Sequence, residues 1–160
     1  MSIASPELCA FVREQAPPHY ATSDAPNTWA ALQAWQQRWH DSARAYGTCF
    51  VLPVSDAGCE QTIYPDVATN HAFRAWHDQL HLANGYSFSR EDEIKVGLIH
   101  MQQARRAGLS QRDQDMLVAD TIGQIEYYYK FGRYVENQTK FVSDVLNLGL
   151  LKVLNSGVTY

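Results

Sequence analysis

Asn70-His-Ala-Phe-Arg-Ala-Trp-His-Asp-Gln-Leu-His-Leu-Ala-Asn84 holds three of the six histidines of this 160-residue chain. Its apolar residues Phe73, Trp76, Leu80 and Ala83 recur at spacings of three and four, the period of a helix with one buried face. On that helix Asn70, Arg74, His77, His81 and Asn84 form a narrow stripe beside the apolar one. Asp78 and His71 fall on the other flank. A solvated face more often carries Lys and Glu, so a His/Asn/Arg stripe at the apolar border predicts a part-buried polar centre.

The segments around it extend the helical reading. Residues 5–15 predict a short helix ended by Pro17-Pro18, and residues 21–26 a loop. Asn27 or Thr28 caps a helix to about 46, with Trp29, Leu32, Trp35, Trp39, Ala43 and Tyr46 on its apolar face and Gly47 as its stop. Residues 48–64 are rich in β-branched and aromatic side chains around Ser55-Asp56-Ala57-Gly58, which predicts a β-hairpin. Pro53 confines that hairpin to an edge or a bulge. The histidine helix spans 67–83, and Asn84-Gly85 ends it. Ser89 with Asp92, and Ser110 with Asp113, have the spacing of capping boxes. They open helices over 89–106 and 110–131. A last helix covers 136–155. The expected fold is mostly α: a single helical domain of about five helices with one small β-hairpin. Residues 1–26 form an N-terminal short helix and loop, and 27–160 the helical domain with its hairpin insertion.

A 46% hydrophobic and 19% charged composition predicts a folded globular chain. The net charge of −4, with no Lys/Arg run, argues against general nucleic-acid binding or attachment to an anionic membrane. The N-terminus lacks the basic start and apolar core of a signal peptide. Cys9, Cys49 and Cys59 are odd in number and contain no CxxC, and across the hairpin Cys49 and Cys59 would sit on the order of 16 Å apart. Reduced thiols in a cytoplasm are the expectation.

The site follows from helical spacing. His77 and His81 are one turn apart, so their imidazoles can share one ion. Glu93, Gly97, His100 and Ala104 make a matching stripe on the next helix, and Asp120, Gln124 and Tyr127 another. Packed together, these faces build a His/Glu/Asp centre of the kind helical bundles use for metals. The expected ligands are His77 and His81, with Asp120 and His100 from other helices and His71, about 100° around its own helix, as the weaker contributor. Imidazole with carboxylate suits a divalent transition metal, zinc, manganese or iron. Glu93 is the expected general base, Asp78 adds a carboxylate, and Arg74 is placed to hold a phosphate oxygen. No Glu-x-x-His occurs on any expected helix, which weighs against a di-iron carboxylate bundle.

In spacing, His40, His77-Asp78 and Asp120 resemble the HD-domain metal-dependent phosphohydrolases. That family is all-helical and holds its metal through a His, a His-Asp pair and a distant Asp. The resemblance implies phosphoester chemistry and Asp120 as a ligand. Separately, Phe73-Arg-Ala-Trp-His-Asp-Gln-Leu-His81 is similar to small uncharacterised bacteriophage proteins, which implies a host-cytoplasmic setting and no particular activity. The expected function is hydrolysis of a phosphoester or nucleotide, with a small phosphate-containing molecule as substrate. The alternative is a non-enzymatic phage-type protein that binds a host protein, its histidines being structural. Oligomeric state is not encoded in these patterns.

Overall fold

The computed structural model describes residues 3–160. In chain order the elements are α1 (Pro6–Gln15), β1 (His19–Thr22), α2 (Trp29–Tyr46), β2 (Leu52–Ser55) and α3 (Val67–Asn84). They are followed by α4 (Arg90–Arg106), α5 (Gln111–Val118), a π-turn (Ala119–Gly123), α6 (Gln124–Phe131), α7 (Gln138–Leu148) and α8 (Leu150–Asn155). The fold is mostly α with one small sheet, as the periodicity predicts. No helix among the described residues is long and apolar enough to cross a membrane.

Helices α2, α3, α4 and α5 begin where a short polar side chain takes an orphan N–H: Thr28 accepts from Ala31, Asp66 from Thr69, Ser89 from Asp92 and Ser110 from Asp113. The return arm of the Ser89 box goes elsewhere. The Asp92 carboxylate accepts from the N–H and hydroxyl of Ser87 and pairs with Lys95. Asp113 does more than expected. One oxygen accepts from the Ser110 hydroxyl and the other from the Ser5 hydroxyl, both at 2.7 Å. Ser5 is itself the cap of α1, so one buried carboxylate fixes two helix starts.

α3 lies between two apolar clusters. Ala72, Trp76 and Leu80 face the larger one, with Leu8 and Phe11 of α1, Val96 of α4, Leu117 of α5 and Phe141 of α7. Phe11 meets Trp76 edge to face at 5.4 Å, which adds about 0.5–1.5 kcal/mol to the area buried. Ala75 faces the smaller cluster of Leu32, Leu52 and Val54. Both faces of α3 are thus occupied, and the polar stripe is held between them.

The hairpin expected over 48–64 does not form. β2 pairs instead with β1 in a parallel two-stranded sheet, His19 opposite Leu52 and Thr22 opposite Ser55. The Leu52 N–H donates to the Pro18 carbonyl and the Asp56 N–H to that of Thr22. Pro53 falls between donating positions, so its missing N–H costs the ladder nothing. Ala21 and Thr22 therefore leave the expected loop and join β1. The expected second arm runs through turns, and the Ile63 carbonyl accepts from the N–H groups of Ile3 and Ala4. The last helix also departs from expectation. Gly149 adopts φ 87° and splits it into α7 and α8, a backbone region costly for residues with a Cβ.

Residues 111–131 run as one helical rod interrupted by the π-turn. Gly97 of α4 lies against that turn: a Cβ there would stand 2.6 Å from Ile122 Cγ1 and 2.8 Å from Thr121 Oγ1. The absence of a side chain is what lets α4 approach and brings Asp120 into the centre of the fold.

Candidate metal centre

His77 and His81 of α3 and Glu93 of α4 converge. His77 Nε2 lies 3.0 Å from His81 Nε2, and Glu93 Oε2 lies 3.1 Å and 3.4 Å from the two nitrogens. Three ligands held about 2.1 Å from one ion are separated by about 3.0 Å in octahedral and 3.4 Å in tetrahedral geometry. The observed edges span that interval, so the group could hold a metal ion. Two nitrogens and one carboxylate oxygen suit borderline divalent metals and leave further positions open.

The outer contacts orient both imidazoles. Gly85, at φ 66°, turns the chain so that the Tyr86 N–H donates to the His81 carbonyl at 3.1 Å. The Tyr86 carbonyl accepts from His81 Nδ1 at 3.0 Å. A carbonyl only accepts, so Nδ1 carries a proton and the Nε2 of neutral His81 points a lone pair at the centre. His77 Nδ1 lies 3.1 Å from His100 Nε2. When His77 offers its Nε2 lone pair, its Nδ1–H donates to His100 and the His100 proton sits on Nδ1. That nitrogen is buried without a hydrogen-bond partner, and the His100 ring meets Trp76 edge to face at 4.0 Å. His100 is thus a support behind His77 and not a member of the ligand group. Burial, reinforced by His77 and His81, holds its pKa well below the usual range, so it is neutral.

Burial pushes the Glu93 carboxyl up, but when protons sit on the Nε2 atoms of His77 and His81 their hydrogen bonds and charge more than offset this and hold it at about 2. Its Oε2 faces both histidines, which puts Glu93, the general base expected from sequence, in the group that could share an ion. Asp78 and Asp120 behave differently. Burial raises Asp78 to about 6 against the pull of His77 and His81, and raises Asp120 to about 7 against a hydrogen bond from Gln124.

The triangle opens into a cleft of about 450 Å³ whose walls include Asn70, Arg74, Asp78, Asp120, Gln124 and Tyr134. Asp78 and Asp120 share this cleft with His77 and Glu93 without joining the mutually close ligand atoms. Asp120 sits in the π-turn, a distortion that recurs at functional sites. Arg74 lines the cleft while donating to the carbonyls of Ser55 at 2.6 Å and Gly58 at 3.3 Å. His71 stands apart, its Nε2 3.5 Å from Cys59 Sγ, and His40 is exposed on α2. Helical spacing locates His77, His81 and Glu93, but it misses Tyr86, Phe88 and Tyr134. The Asn84-Gly85 stop signals the reversal at Tyr86. Phe88 and Tyr134 reach the cleft from connections between helices, which periodicity does not address. No known protein family, curated protein or solved structure matches the chain.

Proposed function

We propose that this protein is a metal-dependent hydrolase of a phosphoester or nucleotide, its ion held by His77, His81 and Glu93. The observation that carries this reading is the triangle of 3.0, 3.1 and 3.4 Å at an open cleft flanked by two further carboxylates. A three-ligand site with open positions is typical of catalytic rather than structural ions. Bound zinc, manganese or iron supplies Lewis acidity and eases deprotonation of water. The remaining work falls to the chain. Tyr86 and His100 keep the two imidazoles in register. Asp120, buried and held by Gln124, accepts the proton of the attacking water. Arg74 uses the N–H groups not engaged by Ser55 and Gly58 to hold a phosphate oxygen. Phe73 and Phe88 give the cleft an apolar wall. The likeness to HD-domain phosphohydrolases favours a phosphoester, although His40 lies outside the cleft.

The test is metal content together with turnover. Chelated protein is reloaded with zinc, manganese or iron and assayed on bis(4-nitrophenyl) phosphate and on nucleoside triphosphates. The expectation is about one ion per chain and metal-dependent hydrolysis, both lost in His81→Ala and Glu93→Gln. The reading fails if the protein retains no stoichiometric metal and His77→Ala leaves any activity unchanged.

A second reading rests on exposed apolar side chains: Tyr46, Leu151 and Tyr134 are 83%, 77% and 73% exposed. These are suitable anchors for a host protein, with the histidines and Glu93 then a hydrogen-bonded structural cluster. Metal content separates the two readings. The three free thiols suit a reducing cytoplasm under either.

A further inference from the structure

Beside the cleft, and sharing Asn70 with its wall, one cluster brings a nucleophile, a base and a donor together. Cys59 Sγ lies 3.5 Å from His71 Nε2 and accepts a hydrogen bond from Asn70 Nδ2 at 3.3 Å. The carbonyls of Asp56 and Ala57 lie 3.3 and 3.7 Å from the sulfur and accept the thiol proton in the resting state. Cys59 and His71 are both half-buried, so small solutes can reach the pair. The other two thiols lack this setting. Cys9 is buried, and burial raises its pKa. Cys49 is exposed, and no side-chain hydrogen bond to it is seen among the described residues.

We propose that Cys59 is a reactive thiol, with His71 as its proton acceptor, and the site at which this protein is oxidised by peroxides. The groups facing His71 are Arg74, His19 and Asp56. Burial first, then Arg74 and His19, push its pKa below the usual value, with Asp56 opposing, so the imidazole is neutral near pH 7 and a weak base, and its Nε2 takes the thiol proton only as the sulfur attacks. Asn70, donating to sulfur, stabilises the thiolate that results. That thiolate attacks one oxygen of the peroxide and the O–O bond breaks. The sulfur is oxidised to sulfenic acid and the peroxide is reduced. The departing hydroxide takes the proton from His71 and leaves as water. Asn70 is also a wall of the cleft, so an oxygen added at Cys59 presses on a residue that substrate would meet. The thiol chemistry itself does not depend on the metal-hydrolase reading.

The chain contains its own controls. Intact protein is treated briefly with iodoacetamide, or with hydrogen peroxide plus a sulfenic-acid trap. It is then cleaved before Asp56, which puts Cys49 and Cys59 on separate peptides for mass spectrometry. Cys59 is expected to react about ten times faster than Cys49 at pH 7, despite being less exposed. In His71→Gln it is expected to fall to the Cys49 rate or below. Cys9 stays unlabelled as long as the fold is intact. A wild-type Cys59 rate equal to or below that of Cys49 overturns the proposal without recourse to any variant. A folded His71→Gln protein that keeps the full rate overturns the role of His71.

Discussion

Asp120→Asn tests the electrostatics of the cleft most directly. Burial holds the Asp120 carboxyl at about 7 in the folded protein against an ordinary value of 3.8. Its folded pKa is raised, so its contribution to stability is fully present below pH ~4 and is lost as pH rises through ~7. At 1.36 kcal/mol per pKa unit, the full loss above pH 8 is at most about 4 kcal/mol. More than a third of that is already lost at pH 5, which leaves roughly 2–3 kcal/mol to appear between pH 5 and 8.5. Asn keeps the oxygen that accepts from Gln124 and cannot ionise. Urea denaturation of wild type and variant, in chelator, should therefore show the variant gaining on wild type by about 2–3 kcal/mol between these pH values. Groups that titrate alike in both proteins cancel in that difference. A variant whose stability tracks wild type in parallel from pH 5 to 8.5 refutes the raised pKa. The same substitution should abolish metal-dependent hydrolysis, a direct trade of function against stability.

Other outcomes follow from particular contacts. Zinc at a hundred times its Kd should stabilise wild type by about 2.7 kcal/mol in a thermal melt, and His81→Ala should show no such shift. Gly97→Ala gains about 1 kcal/mol of helix propensity, but its Cβ meets Ile122 Cγ1 at 2.6 Å; overpacking at about 1–3 kcal/mol should leave a net loss in urea. A Gly97→Ala protein as stable as wild type would mean that the π-turn yields freely. Asp113→Ala removes the acceptor for the Ser5 and Ser110 hydroxyls and should cost about 2–3 kcal/mol. In hydrogen exchange the loss should concentrate at the starts of α1 and α5.

Much of the helical architecture is written locally. Thr28, Asp66, Ser89 and Ser110 cap their helices because each needs only its own first turn. The His77/His81 stripe is legible for the same reason, since a four-residue separation on a helix fixes proximity whatever surrounds it. Glu93 is legible as one member of a stripe that includes the small Gly97. The sheet is not legible. A parallel partner at residues 19–22 is distant in sequence, whereas a hairpin is the nearest local solution, and nothing in 48–64 alone rules it out.

By itself, then, the sequence determined what neighbouring residues enforce on each other: helix starts and stops, the buried face of α3, and a histidine pair poised to share a ligand. Only the tertiary structure decided what each group does. It set Glu93 against both His77 and His81, where the three could share an ion, and set His100 behind His77. It paired His71 with Cys59 and buried Asp120 in a π-turn at the cleft. Those roles depend on distances between elements and on exclusion of water, and both are set by how whole helices pack, not by spacing along the chain.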